Sequence, residues 1–334
     1  MSTRKHRRSR GKRRNIFIIF LVTTLLLLLG IGSFSFFQYE EGKSLSQQEM
    51  NLFTQNKTTT KKQSFEKKNT ISKEPENHEP VNILLIGTDK SNGGLARTDT
   101  IMIAQYNPLN GESKIASIMR DSYVEIPGRS NNKINAAFAF GGVELLQETI
   151  QHNFDIDIHY YAIVDFGGFV QLVDTIAPNG LPIKIENRMY DPSNAIDFLP
   201  GQHFLDGDET LNYVRFRKDH ENDFGRVRRQ QEVISALKNE LFTVSGLVKL
   251  PKLIGMVEPQ IETNIRKTKM LSLSHDVMLN PITDIKTLRI PTDDGFEDAY
   301  FPHAGSVLKL DLPKNALEIN NFFANENDEE TNPT

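Results

Sequence analysis

The residues that decide the fold are Val-Asn-Ile-Leu-Leu-Ile-Gly-Thr-Asp at positions 81–89. The run from Val81 to Ile86 is apolar except for one asparagine, and Gly87-Thr88-Asp89 follows it directly. A short apolar run that ends in turn-forming residues is typical of a buried strand that opens into a loop. From about residue 39 to 79 the chain is polar and has no helical or strand period. A packed domain is therefore predicted to begin at residue 81.

Strands and helices alternate beyond this run. Two strands, about 99–106 and 113–119, are separated by Asn107-Pro108 and Asn110-Gly111, which predicts a β-hairpin. Helical patterns cover about 134–153, 166–176 and 225–243, and further strands are predicted near 182–186 and 286–290. This alternation predicts one domain of the α/β or α+β class.

The first forty residues have a different composition. Eight Lys and Arg residues lie within positions 1–15, and an apolar stretch follows from residue 16 to about 37. A span of roughly 20 apolar residues crosses a bilayer core, and a flank rich in Lys and Arg stays in the cytoplasm. We therefore predict a cytoplasmic basic tail (1–15), a transmembrane helix (16–37), a flexible extracytoplasmic linker (38–80), a catalytic domain (81–323) and a disordered tail (324–334).

A cleaved signal peptide is the alternative for the N-terminal segment. The apolar region of a signal peptide has about 7–15 residues and ends at small residues, whereas this run is longer and carries Phe34, Phe36 and Phe37. The prediction is an uncleaved anchor. It makes the chain a single-pass protein of the cell membrane, with its N-terminus in the cytoplasm and its catalytic domain outside.

Composition narrows the classes of protein further. The chain has no cysteine, which excludes disulfides and thiolate chemistry and suits an exported protein of a bacterium, in our interpretation a Gram-positive one. The net charge is −4 despite the basic tail, so the remainder of the chain is distinctly acidic. An acidic domain does not attract polyanions non-specifically, and no nucleic-acid partner is expected.

Carboxylates and arginines are the residues left to carry chemistry, because GxSxG, HExxH and GxxxxGK[ST] motifs are absent. They form three clusters: Gly87-Thr88-Asp89 with Arg97-Thr98-Asp99, then Met119-Arg120-Asp121, and Arg215-Phe216-Arg217 followed by Asp223, Arg226, Arg228, Arg229 and Gln231. Mg²⁺ usually takes only one or two protein carboxylates together with phosphates and water. Arginine matches phosphate oxygens bidentately. The clusters therefore indicate a site for a metal ion and phosphates.

The local geometry of the third cluster can also be predicted. Arg215 and Arg217 alternate with Phe216, so in an extended segment both guanidiniums would point to one face. A helix that begins near Gly225 would add backbone N–H groups toward the same anion. Taken singly, an aspartate such as Asp89 is more often a turn or capping residue, the two arginines more often form a solvated or salt-bridged surface, and a glutamine such as Gln231 is nearly always structural.

In order and spacing, these clusters resemble the LytR-CpsA-Psr family of envelope phosphotransferases. The matching stretches span about residues 81–240 and are NILLIGTD (82–89), ARTDTIM (96–102), ASIMRDS (116–122), KINAA (133–137), YVRFR (213–217) and DFGRVRRQQ (223–231). The resemblance implies an α/β fold whose central mixed β-sheet is flanked by helices and encloses a pocket for a polyprenyl chain. It also implies transfer of an anionic glycopolymer, of teichoic acid or capsular polysaccharide type, from a polyprenyl-diphosphate carrier to peptidoglycan.

The resemblance also implies roles for individual residues. Asp89 and Asp99 are expected to bind Mg²⁺, or Mn²⁺ in its place. The expected catalytic residues are Arg120, Arg215, Arg217, Asp99 and Asp223, and the general base stays open between Asp99 and Asp223. The expected diphosphate contacts are Arg97, Arg120, Lys133, Arg215, Arg217, Arg226 and Gln231. The expected lipid pocket comprises Phe138, Phe140, Ile163, Phe166, Phe169, Val170 and Leu172, with ordinary core packing as the alternative.

The expected partners are a polyprenyl-diphosphate-linked glycopolymer, peptidoglycan and the cytoplasmic membrane. A phosphohydrolase of lipid diphosphates is the nearest alternative, because the same residues would serve whether water or a sugar attacks. A non-catalytic envelope-binding protein is a third hypothesis. A transcriptional attenuator is a fourth, although the chain shows no helix-turn-helix pattern.

Overall fold

The structure is a computed structural model that describes residues 36–45, 47, 75, 79–89, 97–242 and 244–324. The predicted cytoplasmic tail, nearly all of the predicted transmembrane helix and most of the linker lie outside these residues, as does the C-terminal tail after residue 324. Within the described part of the chain, no helix combines the length and the apolarity needed to cross a bilayer.

Eight α-helices and fourteen β-strands are assigned among the described residues. In chain order they are α1 (36–45), β1 (Val81–Asp89), β2 (Arg97–Tyr106), β3 (Ser113–Ile118), β4 (Ser122–Val124), β5 (Asn132–Lys133), α2 (Ile134–Phe154), β6 (Tyr160–Asp165), α3 (Phe166–Ile176), β7 (Leu181–Ile185), β8 (Met189–Asp191), β9 (Ile196–Phe198), β10 (Gly201–Leu205), α4 (Gly207–Arg215), α5 (Asn222–Leu241), α6 (Val244–Val257), β11 (Ile261–Thr263), α7 (Lys267–Leu279), β12 (Ile285–Ile290), β13 (Phe296–Phe301), β14 (Gly305–Leu310) and α8 (Leu312–Phe323).

A six-stranded sheet forms the centre of the domain, with the strand order β11-β6-β1-β2-β3-β12. It is mixed, because β1 pairs in parallel with β6 and antiparallel with β2. The predicted hairpin is β2–β3, and the strand predicted from the opening stretch is the interior strand β1. The α/β class with a central mixed sheet flanked by helices is confirmed.

The strand directions gather several chain segments at one edge of this sheet. Strands β1 and β6 run in parallel, β2 is antiparallel to β1 and to β3, and β12 is parallel to β3. The ends of β1, β3, β6 and β12 and the beginning of β2 therefore lie along the same edge. Residues that are far apart in sequence become neighbours there.

The two faces of β1 differ in their packing. Leu84 and Ile86 are fully buried in a core that includes α2 and α8, whereas Ile83 and Leu85, on the opposite face, are partly exposed. Strand residues alternate between faces, so the second face of this interior strand is incompletely covered. A second core lies among α3, α4, α5 and β7. This second core leaves the face of β1 that carries Ile83 and Leu85 partly open. The same face ends at Gly87 and Asp89.

Helix α1 packs against α6, and the structure here differs from the sequence prediction of linker over 38–45. Tyr39 is fully buried, and Gly42 and Gly255 allow the two backbones to approach closely. A Cβ atom at Gly42 would lie 2.0 Å from the carbonyl oxygen of Lys252, and one at Gly255 would lie 2.0 Å from that of Tyr39. Single small-residue contacts of this kind leave no periodic pattern in a sequence.

We expect Leu84→Ala to lower the free energy of unfolding by about 2–5 kcal/mol, because it removes a fully buried side chain from an interior strand. Leu317→Ala, on α8, is the matched control. Its side chain is 60% exposed, and its loss is expected to change the stability by less than about 0.5 kcal/mol. Urea denaturation of both variants measures the difference, and equal effects would place Leu84 outside the core.

Candidate functional site

A β-bulge near the beginning of β2 redirects the side chain of Asp99. The pairing of β1 with β2 jumps from Gly87–Thr100 to Thr88–Thr98, so Asp99 has no partner in the register. A bulge of this kind redirects a side chain and is common beside functional sites. Asp99 thereby comes within reach of Arg120, which follows the end of β3.

Arg120 is the centre of a charged cluster. It follows β3 in a turn that is held by the hydrogen bond from the Met119 amide to the Ile290 carbonyl, 2.8 Å. Its guanidinium makes a short contact with Asp99, lies 3.2 Å from Asp121 and lies 3.6 Å from Asp223. Three segments of the chain therefore meet on a single guanidinium.

Two further arginines reach the same carboxylates from the segment around the start of α5. Arg217 Nε lies 3.1 Å from Asp223 Oδ1, and Arg217 Nη2 lies 3.6 Å from Asp99 Oδ1. Arg226 Nη1 lies 3.4 Å from Asp223 and 3.8 Å from Asp99. The Arg226 side chain is only 3% exposed. Asp99 and Asp223 are thus each shared by three guanidiniums.

Burial and charge shift the pKa values within the cluster. Burial lowers the pKa of Arg226 to about 10, and Asp223 opposes this effect while Arg217 and Arg120 reinforce it. Burial also acts against charge on Arg120, but Asp121, Asp223 and Asp99 together outweigh it and raise its pKa. The pKa of Asp121 is lowered, because Lys133 and Arg120 outweigh the effect of burial.

The cluster contains buried polar atoms that the protein does not satisfy. Within the described residues, Arg217 Nε, Asp223 Oδ1 and both Nε and Nη1 of Arg226 are buried without a hydrogen-bond partner. Some of these atoms lie within ion-pair distance of each other without a hydrogen bond between them, such as Arg217 Nε and Asp223 Oδ1. A buried donor without an acceptor costs about 1–3 kcal/mol, and more when it is charged. These donors therefore suit an anionic ligand with several oxygen atoms.

The carboxylates fit a hard divalent cation in chemistry and in number. Asp89 ends β1 opposite Arg97, and Asp99 lies in the bulge of β2 at the same sheet edge. Within the described residues, no group of three or more Asp, Glu or His side chains has the arrangement of a complete metal site. Two aspartates agree with the preference of Mg²⁺, which takes its remaining ligands from phosphates and water.

The other predicted site residues fall into two groups. Lys133 Nζ lies 2.7 Å from Asp121 and belongs to the cluster, and Arg97 is the register partner of Asp89. Gln231 instead donates to Ser117 Oγ, 3.0 Å away, and to the Leu288 carbonyl, 3.1 Å away. It also lines a separate cleft of about 700 Å³ between β7, α5 and β12. The amide of Gln231 thus joins α5 to the sheet.

Arg215 and Arg217 do not lie in an extended segment as the sequence predicted. A capping box of Asp206 and Glu209 starts helix α4, which continues through Arg215. The Arg215 guanidinium lies over the ring of Phe166, 4.4 Å from its centroid, whereas Arg217 joins the charged cluster. Arg215 is therefore located at the end of β6, where α3 begins.

The predicted lipid-pocket residues divide between the two faces of the sheet. Phe138 and Ile163 belong to the core under α2, because Ile163 pairs with Ile86 and shares its face. Phe169 and Leu172 pack beside the second core from α3, next to Val170 and Phe166, whose side chains are also partly exposed. Phe140 is 43% exposed and lies under Arg129. The partly covered face carries Leu85, Ala162 and Val164 instead.

The relationship to known proteins agrees with this geometry. The model of the family described as LytR_cpsA_psr matches residues 47–318, which is most of the chain. The chain belongs to the LytR-CpsA-Psr family.

Three relatives of this LytR-CpsA-Psr protein are informative. Regulatory protein MsrR of Staphylococcus aureus is 40% identical over 243 residues, covering 73% of this chain and 74% of MsrR. The polyisoprenyl-teichoic acid–peptidoglycan teichoic acid transferase TagU of Bacillus cereus is 29% identical over 287 residues, covering 84% and 90%. The structure of TagT (YwtF) with bound octaprenyl pyrophosphate lipid has a TM-score of 0.56 at 25% identity, covering 73% of this chain and 90% of TagT.

The sequence analysis grouped Asp121 and Arg229 with the charged clusters but gave neither residue an individual role in this LytR-CpsA-Psr site. Asp121 joins Arg120 to Lys133. Arg229, 2% exposed, donates to Asp219 and to the Phe216 carbonyl, both at 2.6 Å, and so fixes the loop that carries Arg217. An arginine among the buried positions of α5 is the only sequence signal that would have indicated this role.

Asp121→Asn is expected to reduce the loss in free energy of unfolding that occurs when the pH falls from 7 to 3. Because the pKa of Asp121 is lower in the folded state, its carboxylate stabilises the protein above its unfolded pKa of about 3.9. This contribution is lost as the pH falls through the folded value. Urea unfolding at pH 7 and at pH 3 should therefore show a smaller difference for Asp121→Asn than for the wild type. An unchanged difference would contradict the assigned ion pairs.

Proposed function

We propose that this protein is a phosphotransferase that moves an anionic glycopolymer, of teichoic acid or capsular polysaccharide type, from a polyprenyl-diphosphate carrier to peptidoglycan. The observation that carries the proposal is the group of buried, unsatisfied guanidinium atoms on Arg217 and Arg226 beside Arg120. A diphosphate supplies several acceptor oxygens and two or more negative charges to such a group. The names of TagU and of the TagT complex support the same donor class.

The lipid part of the donor fits the incompletely covered face of the central sheet. Leu85, Ala162 and Val164 are partly exposed on this face although β1 and β6 are interior strands. Phe169 and Leu172 of α3 are partly buried against the second core, and α3 also contacts β1 and β6. An apolar chain lying there would have its diphosphate at the edge where Asp99 and Arg120 meet. The lipid would then contact the apolar face, and the diphosphate that follows it would contact the charged cluster.

The transfer step needs an attacking hydroxyl and a proton acceptor. The oxygen of a peptidoglycan hydroxyl forms a bond to the phosphorus that carries the glycan, and the phosphoanhydride bond to the lipid phosphate breaks. Polyprenyl monophosphate leaves, and the hydroxyl proton passes to a carboxylate. Asp99 and Asp223 are the two candidates for this role, because both carboxylates lie in the charged cluster beside Arg120.

The guanidiniums would stabilise the charge that moves to the leaving phosphate. Arg120, Arg217 and Arg226 are held by carboxylates before the donor binds, so little reorganisation is required. Asp89 and Asp99 would hold Mg²⁺, or Mn²⁺ in its place. A divalent ion supplies additional charge stabilisation on the phosphate oxygens.

The proposed location follows from the basic tail and the apolar stretch at residues 1–37. We place the chain in the cell membrane of a Gram-positive bacterium as a single-pass protein with the catalytic domain outside. A donor that already contains a phosphoanhydride suits that compartment, because the reaction then needs no nucleotide. Peptidoglycan is present there as the acceptor.

Two other functions have a specific observation in their favour. A lipid-diphosphate phosphohydrolase would use the same arginines with water as the attacking group. A regulatory role is suggested by the name of MsrR. Direct binding of DNA is not part of the proposal, since the predicted topology puts the folded domain outside the cytoplasm.

We expect Arg120→Ala to lower the rate of transfer by at least about 100-fold, the typical cost of losing one preorganised donor to developing charge. The assay combines full-length protein in detergent with a synthetic polyprenyl-diphosphate glycan, peptidoglycan oligomers and Mg²⁺, and follows the products by mass spectrometry. Arg188→Ala is the matched control, because Arg188 pairs with the exposed Asp197 outside the cluster. The control should retain wild-type activity.

Removal of divalent ions by a chelator is expected to abolish the adduct, and added Mg²⁺ or Mn²⁺ should restore it. Release of lipid phosphate without an adduct would favour the phosphohydrolase. Equal activity of Arg120→Ala and Arg188→Ala would exclude the charged cluster as the reaction site.

A further inference from the structure

Three aromatic side chains form a small surface on the four-stranded sheet β13-β14-β4-β5. The rings of Tyr123 and Phe301 are stacked, with centroids 4.4 Å apart and an angle of 12° between their planes. His303 lies beside both rings, with centroid distances of 6.2 Å and 5.9 Å. We call Tyr123, Phe301 and His303 the aromatic platform. The mechanism proposed above does not use it.

The platform borders the charged cluster directly. Tyr123 and Lys133 are register partners on the antiparallel strands β4 and β5, so their side chains project from the same face of the sheet. Lys133 Nζ lies 2.7 Å from Asp121, which in turn contacts Arg120. Tyr123 of the platform is therefore paired directly with Lys133 of the charged cluster.

The platform faces outward. The neighbours of Tyr123 on β4, Ser122 and Val124, are buried, whereas Tyr123 is partly exposed. Gly305 is the register partner of Phe301, and a Cβ atom at this position would meet no other atom within 4 Å. The hairpin between β13 and β14 thus leaves open space next to the ring of Phe301.

Polar groups complete this surface. His303 is exposed, and its Nε2 atom lies 3.3 Å from the Tyr123 hydroxyl and 3.0 Å from the carbonyl oxygen of Asn131. The imidazole is therefore held in place although it is exposed. Flat aromatic faces next to oriented hydrogen-bonding groups suit a ring that has an apolar C–H face and hydroxyl groups at its rim.

We propose that the aromatic platform binds the first pyranose ring of the donor glycan, immediately beyond the diphosphate. The proposal rests on the function proposed above and assigns the sugar part of that substrate to specific residues. The C–H bonds on one face of a pyranose carry partial positive charge, which the negative face of an aromatic ring attracts. Its hydroxyl groups can exchange hydrogen bonds with His303.

The order of groups from the six-stranded sheet to the four-stranded sheet supports the donor rather than the acceptor as the ligand. The partly covered apolar face of β1 and β6 comes first, followed by Asp99 at the beginning of β2 and Arg120 after the end of β3. Lys133 and Tyr123 follow on β5 and β4. A polyprenyl-diphosphate glycan has its parts in the same order, with lipid, diphosphate and sugar in sequence.

The test compares two ligands on the full-length protein in detergent. One is a polyprenyl diphosphate, and the other is the same lipid carrying a single N-acetylglucosamine on the terminal phosphate. Phe301→Leu removes the aromatic face but keeps an apolar side chain of similar size. Phe301→Tyr keeps the ring. Tyr300→Leu is the matched control, because Tyr300 is the adjacent residue, is 71% exposed and points to the other face of β13.

Phe301→Leu is expected to weaken binding of the sugar-bearing lipid by about 3- to 10-fold, the range for loss of one aromatic contact. Its affinity for the bare diphosphate should match that of the wild type. Phe301→Tyr and Tyr300→Leu should behave as wild type with both ligands. His303→Ala, whose exposed side chain can be removed without disturbing the core, should also weaken only the sugar-bearing lipid.

Equal loss of affinity for both ligands in Phe301→Leu would overturn the proposal and indicate a purely structural role. Unchanged affinity for the sugar-bearing lipid in both Phe301→Leu and His303→Ala would also overturn it. An unchanged donor affinity combined with a raised KM for peptidoglycan oligomers would assign the platform to the acceptor instead. If the wild type bound neither lipid, the proposed function itself would fail, and the platform assignment with it.

Discussion

The site depends on one electrostatic constraint: guanidiniums can be buried together only if carboxylates offset their charge. Arg120, Arg217 and Arg226 converge within ion-pair distance of Asp99 and Asp223. Like charges in a partly desolvated site repel strongly, and burial already lowers the pKa of Arg226. The two aspartates keep the cluster stable and leave several donors unsatisfied. A preorganised anion site is the consequence of this partial compensation.

The sheet topology makes that compensation feasible. Asp99 projects from a bulge at the beginning of β2, Arg120 follows β3, and Asp223 begins α5. Asp223 lies more than one hundred residues after Asp99 and Arg120, yet the fold places all three at one edge of the sheet. Contacts outside the cluster hold each segment in place. An example is the pair of hydrogen bonds that Arg229 donates to Asp219 and to the Phe216 carbonyl, in the loop that carries Arg217. The positions of the charged groups are therefore set by packing that lies outside the cluster.

The same topology gives the domain an unusual surface. An interior strand normally has both faces covered, but Ile83 and Leu85 on β1 are partly exposed. The helices that pack on this side form their own core with β7 and so do not cover β1 completely. The apolar face and the charged cluster consequently lie together on the six-stranded sheet, and the aromatic platform lies beyond them on the four-stranded sheet. Helix α1 adds a further element, because its glycine-mediated contact with α6 joins the first residues of the predicted linker to the folded domain.

The sequence by itself determined a domain of the α/β or α+β class, the central hairpin, the opening strand and Asp99, Arg120, Arg217, Asp223 and Arg226 as candidates for one site. It could do so because apolar runs, turn residues and charged motifs are local signals. Only the tertiary structure decided that Arg215 ends a helix over Phe166, that Gln231 joins α5 to the sheet and that Ile163 belongs to the opposite core. It also gave Asp121 and Arg229 their individual roles and revealed the aromatic platform. Those assignments depend on which strand faces and which distant segments come together, and non-local packing of that kind leaves no pattern at a fixed sequence spacing.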